Sequence, residues 1–116
     1  MHNQYSNYLR AHRKRWKLSE QELAHLLGGV SASMICRLEN GSRVPTGKFV
    51  LGCEVVFGVP PGRLFSGLYE ATQDIVMRRA ARLSLALEGR TDRASARKRE
   101  LLRDMINRAG GNAPLV

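Results

Sequence analysis

Ser19-Glu20-Gln21-Glu22-Leu23-Ala24-His25-Leu26-Leu27-Gly28-Gly29-Val30-Ser31-Ala32-Ser33-Met34-Ile35-Cys36-Arg37-Leu38-Glu39-Asn40-Gly41 is the stretch that decides the fold. Ser19 is a good N-cap, and Glu22 three residues later completes a capping box. Leu23, Ala24 and Leu27 recur at helical spacing and form an apolar face. Gly28-Gly29 ends that helix, because glycine adopts the left-handed backbone of a helix stop at little cost. Ser31 caps a second helix, with Ile35 and Leu38 pointing inward and Asn40-Gly41 stopping it. Two short helices about a tight glycine turn make a helix-turn-helix. The outward face of the second helix carries Ala32, Ser33, Cys36, Arg37 and Asn40. Four of these are small or uncharged, so such a helix can enter a DNA major groove about 12 Å wide.

Working outward, residues 5–16 read as a first helix with Tyr5, Tyr8, Leu9 and Trp16 as its buried face and Trp16 as a core anchor. Residues 1–4 are polar and expected to fray. After Gly41, Pro45 keeps Val44 out of helix and Thr46 caps a fourth-position helix running to about Phe57. Val50, Cys53, Val56 and Phe57 form its apolar side, and Gly58 stops it. Pro60-Pro61-Gly62-Arg63-Leu64-Phe65 gives one more short turn, since proline suits the first helical positions.

Beyond residue 68 the character changes. Val76, Ala80, Leu83 and Leu87 follow at intervals of four, three and four, a heptad-like stripe. Gly89 and Thr91-Asp92 break it, and a last helix over roughly 93–109 has Leu101, Leu102, Met105, Ile106 and Ala109 on its apolar side. Gly110-Gly111 and Pro114 end it. Two helices this short bury little by themselves, so these stripes are expected to pack on the first domain or on another copy. The expected organisation is a DNA-binding domain over 1–68 and a helical extension over 69–116. No stretch alternates like a strand, so the fold class is all-α.

Composition narrows the function. The 116 residues are 43% hydrophobic, enough for a core, and carry a net charge of +9, with +5 on residues 1–69 and +4 on 70–116. That charge suits a polyanion. Aromatics make up 6% and do not interleave with the basic residues, which gives no stacking surface for single strands. No apolar run approaches the ~20 residues that span a bilayer, so no membrane partner is expected. The polar, basic N-terminus lacks a signal-peptide core, and a cytoplasmic location is expected. Cys36 and Cys53 form no disulfide framework. His2, His12 and His25 have no ligand spacing with or without them. Gly47-Lys48 lacks the rest of a phosphate loop. No metal, cofactor, catalytic residue or enzyme activity is expected.

The residues also carry a resemblance. Leu9-Arg10-x-x-Arg13, Leu18-Ser19-x-x-Glu22-Leu23-Ala24, Ile35-x-x-Leu38-Glu39-Asn40-Gly41-x-x-x-Pro45, Phe57-Gly58-Val59 and Leu64-Phe65 resemble the Xre/Cro, or lambda-repressor-like, DNA-binding domains over about residues 5–66. The resemblance implies a five-helix domain whose third helix reads the major groove, followed here by the C-terminal helical pair. It implies base contacts from Ala32, Ser33 and Arg37, phosphate contacts from Asn40 and the loop through Arg43, and an internal ion pair between Arg13 and Glu39. Lys48, at the start of the next helix, joins the phosphate set. The chain departs from the pattern at three places. Glu20 stands where Gln is usual, leaving that phosphate contact to Gln21. Glu54 replaces a small apolar residue. One extra residue falls at Gly28-Gly29.

The expected function is a repressor-like transcriptional regulator that binds specific double-stranded DNA as a homodimer. The expected dimer interface is Val76, Leu83, Leu87, Leu101 and Met105. The alternative is an antitoxin-type module that neutralises a protein partner through the C-terminal helices and uses its DNA-binding domain for autoregulation.

Overall fold

The computed structural model describes residues 6–110, and among them all regular structure is helical. The order is α1 (Leu9–Arg15), α2 (Glu20–Leu27), α3 (Ala32–Glu39), α4 (Gly47–Phe57), α5 (Pro61–Leu64), α6 (Ser66–Ala86) and α7 (Arg93–Ala109). Tyr5, Gly111, Pro114 and the expected frayed residues 1–4 lie outside the described residues. The chain divides into two compact units, Met1–Ala71 and Thr72–Val116.

In the first unit the starts of α2, α3 and α4 are fixed by side chains. Ser19 Oγ accepts from the Glu22 amide at 3.0 Å, and the Ser19 amide donates to Glu22 Oε1 at 2.8 Å. Ser31 Oγ accepts from the Met34 amide at 3.1 Å, and Thr46 Oγ1 from the Phe49 amide at 3.2 Å. Each cap satisfies an amide that has no partner inside its own helix. Gly28 and Gly29 both take positive φ, 72° and 70°, and turn the chain between α2 and α3. α2 packs on α3 and α4. α4 approaches closely at Gly52, where a Cβ would lie 2.8 Å from Leu27 Cδ2. The core is Leu9, Leu23, Ala24, Ile35, Leu38, Phe49, Cys53, Leu64 and Phe65, with Phe49 and Phe65 edge-to-face at 6.3 Å.

Two expectations about this core are corrected. Trp16 is 63% exposed and Tyr8 is also exposed, so neither anchors it. α1 begins at Leu9 rather than near residue 5 and ends at Arg15, one residue short of the expected end, and Lys17 takes a left-handed φ of 60°. Trp16 is the C-cap of α1, and its ring stays in solvent although its position continues the side that buries Leu9 and Arg13. On α4 the buried face runs through Phe49 and Cys53, while Val50, Val56 and Phe57 are only partly covered. That helix is apolar nearly all round, and periodicity alone does not select its inward side.

In the second unit the part of α6 from residue 72 onward and α7 pack on each other through Ala80, Leu102 and Met105, joined by Leu87 just past α6. The heptad-like stripe is thus divided. Ala80 and Leu87 are buried, Leu87 at 4% exposure, whereas Val76 and Leu83 remain exposed. A single facing helix covers only a narrow strip of α6, and the small Ala80 lets Leu102 and Met105 close on it. The connection is held by Arg99 Nη1, which donates to the Leu87 carbonyl at 3.0 Å. Asp92 caps α7: its Oδ2 accepts from the Ser95 amide at 3.0 Å and its Oδ1 from Ser95 Oγ at 2.7 Å.

The Ser95 hydroxyl and amide hold the Asp92 carboxyl below its ordinary value. A carboxyl lowered by folding contributes stability above its unfolded pKa and loses it as pH falls through the folded one. The Ser95 amide should therefore exchange faster relative to mid-helix amides below a pH of about 4. The same scan on Asp92→Asn, which caps without titrating, should show no such step. A step of equal size in both proteins would assign it to another group.

Candidate nucleic-acid interface

α3 is positioned by its inward residues. Ile35 and Leu38 are buried in the core, which leaves Ser33, Cys36 and Arg37 exposed on the opposite side and Ala32 half-buried at the first turn. The three expected base readers, Ala32, Ser33 and Arg37, thus lie on successive turns of one helix, with Arg37 one turn beyond Ser33. The expected phosphate group lies on the flanking elements: Gln21 on α2, Arg43 in the loop after α3 and Lys48 in the first turn of α4, all exposed. Asn40 is the C-cap of α3, and its Oδ1 accepts from the Ser42 amide at 2.9 Å. The Ser42 amide and hydroxyl also meet the Arg37 carbonyl, at 3.1 and 3.3 Å. Asn40 and Ser42 together shape the loop that carries Arg43.

The end of α3 is tied to α1 by charge. Arg13 Nε donates to Glu39 Oε2 at 2.5 Å and Nη2 to Oε1 at 3.1 Å, a two-pronged pair. Arg13 Nη1 donates to the Leu18 carbonyl at 2.8 Å. The two side chains are 9% and 3% exposed. The hydrogen bonds to Glu39 raise the Arg13 pKa, and the nearby Glu20 carboxylate adds to that. Glu20, which departs from the family pattern, is half-buried within the field of Arg13. Glu54 is half-buried on α4 and forms no ion pair among the described residues.

One positioning residue carried no sequence signal. Asn7 Nδ2 donates to the Leu38 carbonyl at 2.9 Å, and its Oδ1 accepts from the Leu9 amide at 3.0 Å. It therefore starts α1 and holds the C-terminal end of α3 at once. An asparagine two residues ahead of a helix reads as an ordinary start signal, and its tertiary partner, 31 residues away, leaves no local trace.

The two cysteines differ sharply. Cys36 is exposed on α3 and Cys53 is buried in the core, where burial pushes its thiol up to about 12. Thiolate is the reactive form. A disulfide reagent at neutral pH should modify one thiol promptly, identified by mass as Cys36, and the second only on unfolding. Prompt reaction of both would show that the α4 side of the core opens readily.

Two short capped helices about a glycine turn, with a solvent-facing second helix and cations around it, define a helix-turn-helix DNA-binding domain. Residues 9–64 match the family model HTH_3, helix-turn-helix, which supports the resemblance to Xre and lambda-repressor-like domains. Such domains bind DNA in regulators and are typically non-enzymatic. No curated protein and no solved structure matches the chain. Among the described residues no helix is long and apolar enough to cross a membrane, and no three His, Cys, Asp or Glu side chains are grouped to hold a metal.

Proposed function

We propose that the chain is a cytoplasmic, repressor-like regulator that binds a specific double-stranded DNA site as a homodimer, with α3 in the major groove. The observation that carries this reading is the face of α3. It presents Ser33 and Arg37 to solvent, with Gln21, Arg43 and Lys48 exposed on the elements before and after it, while Ile35 and Leu38 are locked into the core. Small residues permit close approach, and Arg37 can donate to both acceptors on one guanine. Ala32 contributes closeness and contact with a thymine methyl. Arg43 and Lys48, with Gln21 and Asn40, serve the phosphates and fix register without reading sequence.

A single such helix reads few base pairs, and dimers on half-sites about one helical turn apart are the usual solution. The exposed apolar residues of the second unit support self-association: Val76, Leu83 and Leu101 from the expected interface, together with Leu85 at 69% exposure and Ile106. Leu87 and Met105 pack inside that unit instead and act by shaping it. The same exposed residues would serve the antitoxin alternative.

Selection of bound duplexes from a random library, read by sequencing, tests the whole reading. An enriched palindrome is expected. Leu83→Glu with Leu101→Glu, both at exposed positions, should convert a sedimenting dimer to monomer and reduce affinity for the palindrome far more than for a half-site. Bound operator should also shield Cys36 from alkylation. A library that returns no enriched sequence would refute specificity. A wild-type chain that stays monomeric at high concentration would refute the dimer and leave the exposed residues to another protein.

A further inference from the structure

A cleft of about 280 Å³ lies inside the first unit, between the α2–α3 turn, the inner edge of α3 and the loop into α4. Its floor is apolar: Leu27, Val30 and Met34 are partly buried and Leu38 and Phe49 fully so. Arg43 and Lys48 stand on its rim, and no carboxylate lines it. Thr46 Oγ1 takes only the Phe49 amide, so the first amides of α4 add positive potential at the same end. The roof is the Gly28-Gly29 turn, the place where this sequence is one residue longer than the pattern it resembles. A Cβ built on either glycine would meet nothing within 4 Å, so the turn borders open space rather than packed atoms.

We propose that this cleft binds a small amphipathic anion, a medium-chain aliphatic carboxylate, with its chain on the apolar floor and its carboxylate between Arg43 and Lys48. The volume lies just below the usual small-molecule range, which starts near about 300 Å³, so the ligand is short. The two charges at one end of an otherwise apolar lining select an acid over an alcohol or an amine. The consequence for DNA rests on the function proposed above: the cations that would hold the carboxylate are those assigned to phosphate. Ligand and DNA would then exclude one another, each weakening the other by the same factor.

The site is tested without DNA by following methyl signals of the full chain during titration with octanoate, octan-1-ol and octylammonium. Octanoate is expected to shift Leu27, Val30, Met34 and Val44 saturably, with octanol weaker by roughly tenfold and octylammonium inert. Arg43→Gln with Lys48→Gln should reduce octanoate affinity by roughly tenfold and leave octanol unchanged. Equal binding of octanoate and octylammonium would overturn the proposal. So would shifts centred on Leu51 and Val55, the exposed apolar pair of α4, because they would mark surface adsorption. The consequence is tested separately, by DNA affinity at saturating octanoate. Binding of octanoate with DNA affinity unaltered would overturn the shared-cation claim. A chain that binds no duplex at all would refute the DNA reading and leave the methyl titration to decide the site.

Discussion

Arg13→Ala is expected to cost the first unit about 3–5 kcal/mol, the cost typical of breaking one side of a buried ion pair. For a domain of this size that corresponds to a melting temperature lower by at least about 12 °C. The size of the effect follows from what the change leaves behind. Both side chains are almost fully enclosed, so Glu39 loses its two-pronged partner with little water to replace it. The Leu18 carbonyl loses its donor in the same step. Arg13→Lys should recover only part of the loss, because an ammonium cannot reproduce the planar fork that meets both carboxylate oxygens. Arg13→Met combined with Glu39→Met should recover more than either single change, since no buried charge is then stranded. The measurement is thermal unfolding of the four proteins under one buffer condition. An Arg13→Ala protein melting within a degree or two of the parent would show that the pair is solvated and does not hold the end of α3 against α1.

That pair was legible because a shared motif marks both of its members, whereas composition alone would leave Arg13 among the surface cations of α1. The caps at Ser19, Ser31 and Thr46 were legible for a different reason. A cap is a contact made within three residues, so its sequence signal and its physical cause coincide. The misread residues are those whose fate depends on distant neighbours. Trp16 carries the composition of a core anchor, but it caps the end of α1 and its ring is left in solvent. Phe49 went unnoticed because α4 offers Phe49, Val50, Leu51, Val55 and Val56 in almost every direction. Which of these is inward depends on where α2 and α5 pack. Asn7 falls within the expected first helix, yet it precedes α1 and holds the Leu38 carbonyl. The C-terminal stripe failed in another way: its helical period was right, but α7 is too narrow to cover Val76 and Leu83 along with Ala80 and Leu87. For Ala32, Ser33 and Arg37 no packing signal exists in either direction. Their assignment rests on the family pattern and on the exposure that α3 gives them.

Arg37→Ala is expected to reduce affinity for the selected operator by roughly five- to 150-fold, the equivalent of about 1–3 kcal/mol for one bidentate guanine contact. Its effect on scrambled DNA should be small, because a base reader contributes little to binding that has no sequence preference. Arg43→Ala should behave the opposite way. It should weaken operator and scrambled duplex by similar factors and lower the log–log salt slope by about 0.9, one phosphate contact's worth of released counterions. The two arginines are only six residues apart, and Ser42 bonds the Arg37 carbonyl directly, so a general disturbance of α3 would affect both alike. Opposite behaviour is therefore evidence of two distinct roles rather than of local damage. Both variants should melt with the parent, since both side chains are exposed and neither touches the core. The result that would sink the base assignment is an Arg37→Ala protein weakened equally on both DNAs with a reduced salt slope. Arg37 would then sit on the backbone. The extra residue in the Gly28-Gly29 turn would have shifted α3 by enough to move its second turn out of the groove, and Ser33, nearer the capped start of the helix, would become the residue to test for base contact.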